Sequence, residues 1–214
     1  FLVNLNKKFR GWAASLDMGS DCPMEGNSML KKRDLHDSHV LFELMSHPDV
    51  FPFVRQKCSS YEEFIFMTKQ TIEAEERGEC ISRTILDEWG APIGTINLFD
   101  IEDNAGFLGT WLGKPYHGKG YNSPAKEAFF QEVFYNMGIE TIFMRIRKVN
   151  VRSIKAAEKL PYVVKANETR RSLYEQLNAD GDVYDLYEIP KDQYSFYLMR
   201  NGAAQEEPSH LLEA

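Results

Sequence analysis

The residues from Gly113 to Ser123, GKPYHGKGYNS, hold the types and spacing best suited to chemistry in this chain. Gly118 and Gly120 flank Lys119, between a strand-like run and a stretch of helical period. Two close glycines let the backbone turn with its N–H groups pointing inward, and a following helix adds unsatisfied N–H groups and the positive end of its dipole. Phosphates are the usual guests of such a loop. Gly113, Gly118 and Lys119 also fit the P-loop string G-x-x-x-x-G-K, but the next residue is Gly120. A nucleotide-hydrolysing P-loop needs Ser or Thr there to hold magnesium, so this loop suits a phosphorylated carrier better than phosphoryl transfer.

A second motif lies downstream. Asn150 and Ser153 fall at the cap and first turn of a helix that continues to Leu160. Each residue has a plain structural reading beside its functional one: turn glycines for Gly118 and Gly120, an N-cap for Asn150, a first-turn serine for Ser153. An imidazole invites a catalytic reading, yet His117 is read here as a loop residue that uses its backbone. Tyr116 and Tyr121 pack against either a bound ligand or the sheet, and Lys119 faces either phosphate or water.

The elements that must position these residues are legible from periodicity and punctuation. Residues 1–28 show no sustained period and are read as an N-terminal extension or leader, and 201–214 as a flexible acidic tail. Between them, 29–200 reads as one domain. A short strand over 29–33 precedes a helix capped by Asp37 and ended at His47-Pro48, then a helix from about Ser60 to Arg77 stopped by Gly78. Runs at 81–86, 93–99 and 107–112, separated by turn residues, form an antiparallel meander. After the glycine loop, Asn122 or Ser123 caps a helix with Pro124 near its first position; Ala125, Ala128, Phe129, Val133, Phe134 and Met137 form its buried stripe. A strand over 141–147, the helix after Asn150, a strand over 162–165 and a helix over 168–177 follow, and then two aromatic strands, 183–188 and 194–199. The strand–helix–strand order from Phe107 to Arg147 implies a parallel pair.

Composition narrows the function classes. With 214 residues, 43% hydrophobic and 13% aromatic, the chain can bury one good-sized core. A formal charge of −7 argues against a nucleic-acid partner. No apolar run reaches the roughly 20 residues that span a bilayer, so no membrane is expected. Cys22, Cys58 and Cys80 are odd in number and widely spaced, giving neither a disulfide framework nor a metal site; a reducing cytoplasm is the expected location. Between Ser59 and Asn104, eleven acidic residues meet only Lys69, Arg77 and Arg83. A solvated helix face explains that excess more simply than a cationic substrate does.

Taken in order, Trp111-Leu112 at a strand end, the Gly118-Lys-Gly120 turn and the Asn150 to Ser153 motif resemble the GNAT superfamily of acetyl-CoA-dependent N-acetyltransferases, in particular its RimJ/RimL-like branch of ribosomal-protein N-terminal acetyltransferases. The likeness covers about Met29 to Met199. It implies an α/β (α+β) fold: a mixed, mostly antiparallel, twisted sheet of about seven strands flanked by helices. That sheet would be splayed between the strand ending at Leu112 and the strand beginning at Thr141. Acetyl-CoA would lie in the splay, its pantetheine arm along Trp111, Leu112 and Gly113 and its pyrophosphate on the amides of His117, Gly118, Lys119, Gly120, Tyr121, Asn122 and Ser123. Asn150 and Ser153 would meet the cofactor from the second motif, with the Ser153 hydroxyl donating to the departing thiolate. No metal is implied.

The chain also departs from the family pattern. Phe107 stands where the branch often has a glutamate assigned as general base, Pro115 where many members have Gln or Arg, and Pro161 where a glycine is usual. The expected reaction is direct acetyl transfer to a primary amine, with a peptide or protein N-terminal α-amine favoured and an oxyanion met by an amide near Leu112. A polyamine or other small amine, or a non-catalytic acyl-CoA-binding module, are the alternatives, and a homodimer is left open.

Overall fold

The computed structural model describes residues 28–203. Its elements run β1 (Leu30–Lys32), α1 (Ser38–Met45), a 3₁₀ turn (Phe51–Phe53), α2 (Tyr61–Glu76), β2 (Ile81–Leu86), β3 (Pro92–Glu102), β4 (Ala105–Leu112), a second 3₁₀ turn (Lys114–Tyr116) and α3 (Asn122–Gln131). A π turn (Glu132–Asn136) extends α3, and then come β5 (Thr141–Arg147), α4 (Val151–Glu158), β6 (Val164–Lys165), α5 (Arg171–Leu177), β7 (Tyr184–Pro190) and α6 (Lys191–Ala203). The strands form one seven-stranded sheet in the order β1-β2-β3-β4-β5-β7-β6. Every pairing is antiparallel except β4 with β5.

That parallel pairing is short. It runs from Ala105 opposite Thr141 to Phe107 opposite Phe143 and stops, although β4 continues to Leu112 and β5 to Arg147. The antiparallel ladders on either side keep their length: Gly94 still pairs with Leu112, and Arg147 with Tyr184. The sheet therefore parts in its middle, leaving two strand edges that face each other.

Alternation along the strands divides the core between two faces. On one face Ile96, Leu98, Leu112, Ile142 and Met144 pack against Ala125, Phe129, Val133 and Phe134 of the α3 region. On the other, Trp111 joins the α1–α2 cluster of Leu41, Met45, Val50, Val54, Cys58 and Phe64. Phe107 joins a separate cluster with Phe143, Leu186 and α5. Two apolar packs thus cover the second face, and Gly109 lies between them in β4.

Some expected elements changed. The run 194–199 is helical, not a strand: Tyr194 is fully buried and Tyr197 and Leu198 pack beside it, while Phe196 and Met199 point to solvent. That spacing is one face of a helix, and Tyr194 closes it down by edge contacts with Phe130 and Tyr162. α6 also carries three residues, 201–203, into the expected tail; the rest of that tail and residues 1–27, Cys22 included, lie outside the described residues. Of the expected stripe of α3, Ala125, Phe129, Val133 and Phe134 are buried; Phe130 is buried beside them, and Met137, at the end of the π turn, is 40% exposed. Asp37 stands at the cap of α1, but its carboxylate accepts from Lys31 Nζ at 2.9 Å and no side chain caps the helix.

Candidate functional site

The helix caps separate a structural role from an available one. Ser60 caps α2 by accepting from the Glu63 amide, and Asn150 caps α4 by accepting from the Ser153 amide at 3.2 Å. α3 has no such cap. Tyr121, rather than Asn122 or Ser123, stands at its N-cap position, Asn122 is already the first helical residue, and no side chain bonds its first turn. The N–H groups of a helix's first turn need partners; at α3 Pro124 has no N–H, and those of Asn122 and Ser123 are unmet among the described residues.

The loop before it adds to the same cradle. Gly118 and Gly120 have φ of +75° and +90°, where a Cβ is strained, and a Cβ built on either would meet nothing within 4 Å. A side chain at either position would point into open space. The amides of Gly118, Lys119, Gly120, Tyr121, Asn122 and Ser123 make no hydrogen bond among the described residues. His117 is different: its amide donates to the Lys114 carbonyl at 3.2 Å, and its Nε2 meets the Leu112 carbonyl at 2.9 Å. A ring nitrogen facing a carbonyl must carry the proton, so His117 closes the turn as a donor. The run of open amides begins at Gly118, one residue later than the sequence suggested.

Side chains brace the loop from outside. The Tyr121 hydroxyl donates to the Glu88 carboxylate in the β2–β3 turn, which pushes the phenol up to about 12. Tyr116 and Tyr121 meet edge to face at 5.8 Å between centroids, and Lys119 Nζ lies 5.7 Å from the Tyr116 ring. Gly113 is held twice, by its amide to the Ile93 carbonyl at 2.8 Å and by Leu44 of α1, which leaves no room for a Cβ. That amide is engaged within the sheet. Ser153 is half-buried in the first turn of α4, its backbone fixed by Asn150.

Phe107 presents a ring, not a carboxylate, to the splay. The Phe107 and Phe143 rings meet at 5.5 Å between centroids, in the apolar cluster under α5. Nearby acids are committed: Asp100 to Arg55, and Glu188 to Arg170 at 2.8 Å. The acidic excess of 59–104 dissolves in the same way. Glu63 accepts from the Ser59 amide, Glu75 pairs with Arg83, Glu79 with Arg77, and Asp87 orders its turn. Cys58 and Cys80 are buried, and burial pushes the Cys80 thiol up to about 11, the opposite of an activated nucleophile. Among the described residues no three His, Cys, Asp or Glu gather as a metal site would, and no helix is long and apolar enough to cross a membrane.

The acetyltransferase (GNAT) domain family matches residues 29–163, and the chain belongs to that family. It is a GNAT-type N-acetyltransferase. An uncharacterized N-acetyltransferase p20 of Bacillus licheniformis is 26% identical over 165 residues, covering 74% of this chain and 88% of that one. Solved structures share the fold at lower identity. Apo FdhC, a nucleotide-linked sugar GNAT, superposes with a TM-score of 0.65 at 17% identity, over 81% of this chain and 92% of its own. A spermidine N-acetyltransferase of Vibrio cholerae in complex with CoA and spermine gives 0.62 at 15%, over 78% and 99%. RimL, a ribosomal L7/L12 alpha-N-protein acetyltransferase, gives 0.59 at 19%, over 76% and 89%.

Proposed function

We propose that this enzyme transfers acetyl from acetyl-CoA to the α-amine of a peptide or protein N-terminus, as in the RimJ/RimL-like branch, by direct attack without a covalent enzyme intermediate. The single observation that carries the choice of acceptor is Phe107, packed on Phe143 where a general base would otherwise stand. An α-amine of pKa about 7.8 costs roughly 1 kcal/mol to neutralise at pH 7, and a lysine-like amine of pKa about 10.4 costs roughly 4.6 kcal/mol. A site with no strong base of its own selects the amine that needs least help.

The open amides of Gly118 to Ser123 fit a pyrophosphate in both charge and space. When bound, acetyl-CoA supplies the activated acyl group. The residues of the chain position and exclude: Tyr121 locked to Glu88 holds the loop, the parted edges of β4 and β5 admit an extended arm, and Trp111 and Phe107 wall the splay on the acceptor side. The Ser153 hydroxyl, on a turn fixed by Asn150, supplies a donor for a departing thiolate of ordinary pKa about 8.5. Neither described cysteine offers itself as an acyl carrier.

Thiol release measured at pH 7 with a panel of N-terminal peptides, lysine side-chain analogues and polyamines tests the proposal. Peptide α-amines are expected to be turned over with the highest kcat/KM. Efficient acetylation of polyamines or lysine side chains in their place contradicts it.

A further inference from the structure

The face of the sheet opposite α3 carries a cluster of cations that the cofactor site does not use. Arg145 lies on β5 two residues beyond Phe143, the last residue paired with β4, so it stands beside the opening splay. By alternation it shares the face of Phe143 and Phe107. Its guanidinium lies 5.8 Å from the Tyr184 ring centroid, and it makes no hydrogen bond or ion pair among the described residues. Burial lowers its pKa and the positive charge of Arg55 lowers it further, against the opposing pull of Tyr184 and Asp100. A part-buried guanidinium whose donors meet no acceptor among the described residues keeps them free for an anion.

Arg55 reaches the same place from the segment before α2. It lies 4.5 Å from the Phe99 ring centroid and pairs with Asp100, whose φ of +53° places it at the irregular end of β3. Phe99 in turn crosses over Gly109, where a Cβ would come within 2.7 Å of the ring. The Phe99 ring thus fills the space a side chain at position 109 would take and carries Arg55 on that face of the sheet, with Arg145 across the splay on β5. Asp100 pairs directly with Arg55 and reaches Arg145 only through space, and Arg145 has no ion pair of its own among the described residues.

We infer that the acceptor carries an anionic group, a carboxylate or a phosphate, close to its reacting amine, and that Arg145 binds this group with Arg55 as the second arm. The inference rests on the reading of this groove as the acceptor's entrance. A planar guanidinium presents paired donors that match the two oxygens of either anion. A cationic acceptor such as a polyamine would meet repulsion at the same point, so the cluster discriminates by sign as well as by shape.

The test compares kcat/KM for matched tetrapeptides that begin Ser-Glu, Ser-Gln, Ser-Lys and Ser-phosphoserine, together with aminoethyl phosphate against ethanolamine at equal free-base concentration. The acidic or phosphorylated member of each pair is expected to exceed its neutral partner by about tenfold or more, as a charged hydrogen-bonded pair supplies. Arg145→Gln should bring that ratio towards one, and Arg145→Lys should restore part of it, with acetyl-CoA affinity and melting temperature checked on each variant. Arg55→Gln gives an independent second reduction. A wild-type ratio near one, or a ratio that survives in folded Arg145→Gln, overturns the inference. If aminoethyl phosphate is acetylated and no peptide is, the peptide reading falls and the anion site stands. If nothing is acetylated, calorimetry with the acidic peptide and aminoethyl phosphate decides: binding lost in Arg145→Gln supports the site, and no binding overturns it.

Discussion

At the Gly118 to Ser123 turn the proposed binding groups are backbone amides on one continuous stretch of chain, set by two glycines at positive φ and an uncapped helix. On the proposed acceptor side they are side chains from separate segments, Arg55, Phe99, Phe107 and Arg145, brought together only by the fold. A backbone site depends on conformation and tolerates almost any side chain that permits it. A side-chain site depends on identity, and a single replacement such as a phenylalanine for a glutamate rewrites its chemistry. One scaffold can therefore keep its acyl donor while changing its acceptor, which is how fold-level likeness to sugar, polyamine and ribosomal-protein acetyltransferases coexists in one chain.

Gly120→Asp should break the backbone half most severely. It puts an L residue at φ +90° and a carboxylate beside the bound pyrophosphate, and a like charge at about 4 Å costs several kcal/mol even at the screened dielectric of a protein surface. Acetyl-CoA affinity is expected to fall roughly a hundredfold or more by calorimetry. Unchanged affinity would remove the loop from the cofactor site.

Ser153→Ala comes next and should separate chemistry from binding. If the hydroxyl meets the leaving thiolate, turnover drops about tenfold, the worth of one charged hydrogen bond, while acetyl-CoA affinity holds. A lower melting temperature with turnover per folded molecule intact would make Ser153 a structural serine.

Asn150→Ala should have the smallest effect, about 1 kcal/mol of stability, the ordinary cost of losing an N-cap, together with a modest loss of turnover as the Ser153 turn loosens. Denaturant melts and kinetics on one preparation read both. A stability loss with no kinetic change would uncouple the cap from the site.

The two halves were also unequally legible in the sequence. The loop could be read because glycine spacing and a following helix are local signals, and the mostly antiparallel sheet because its turns are punctuated by glycine, asparagine and aspartate. What lay beyond reach depended on tertiary partners. The aromatic run 194–199 has high strand propensity, yet Tyr194 inserts between Phe130, Phe134 and Tyr162 and the run folds as a helix. Nothing local marked Tyr121 as the cap of α3, because the decisive fact is that Asn122 already lies inside the helix. Arg145 carried no motif at all; only the register of β5 against β4 and β7 places it beside the splay. Phe107 in place of a glutamate was legible from the resemblance, whereas the pairing of Asp100 with Arg55 and of Glu188 with Arg170 is a tertiary fact.

The central claim, that the acceptor face supplies no strong base and the amine's own ionisation governs the rate, is tested most directly by the pH profile of kcat/KM for acceptors of different amine pKa. Only the neutral amine attacks, so kcat/KM should rise with pH up to the acceptor's pKa and level off above it. The midpoint should move with that pKa from one acceptor to the next. A limb near pH 6 to 7 that stays fixed whatever the acceptor would reveal an enzyme base and contradict the account.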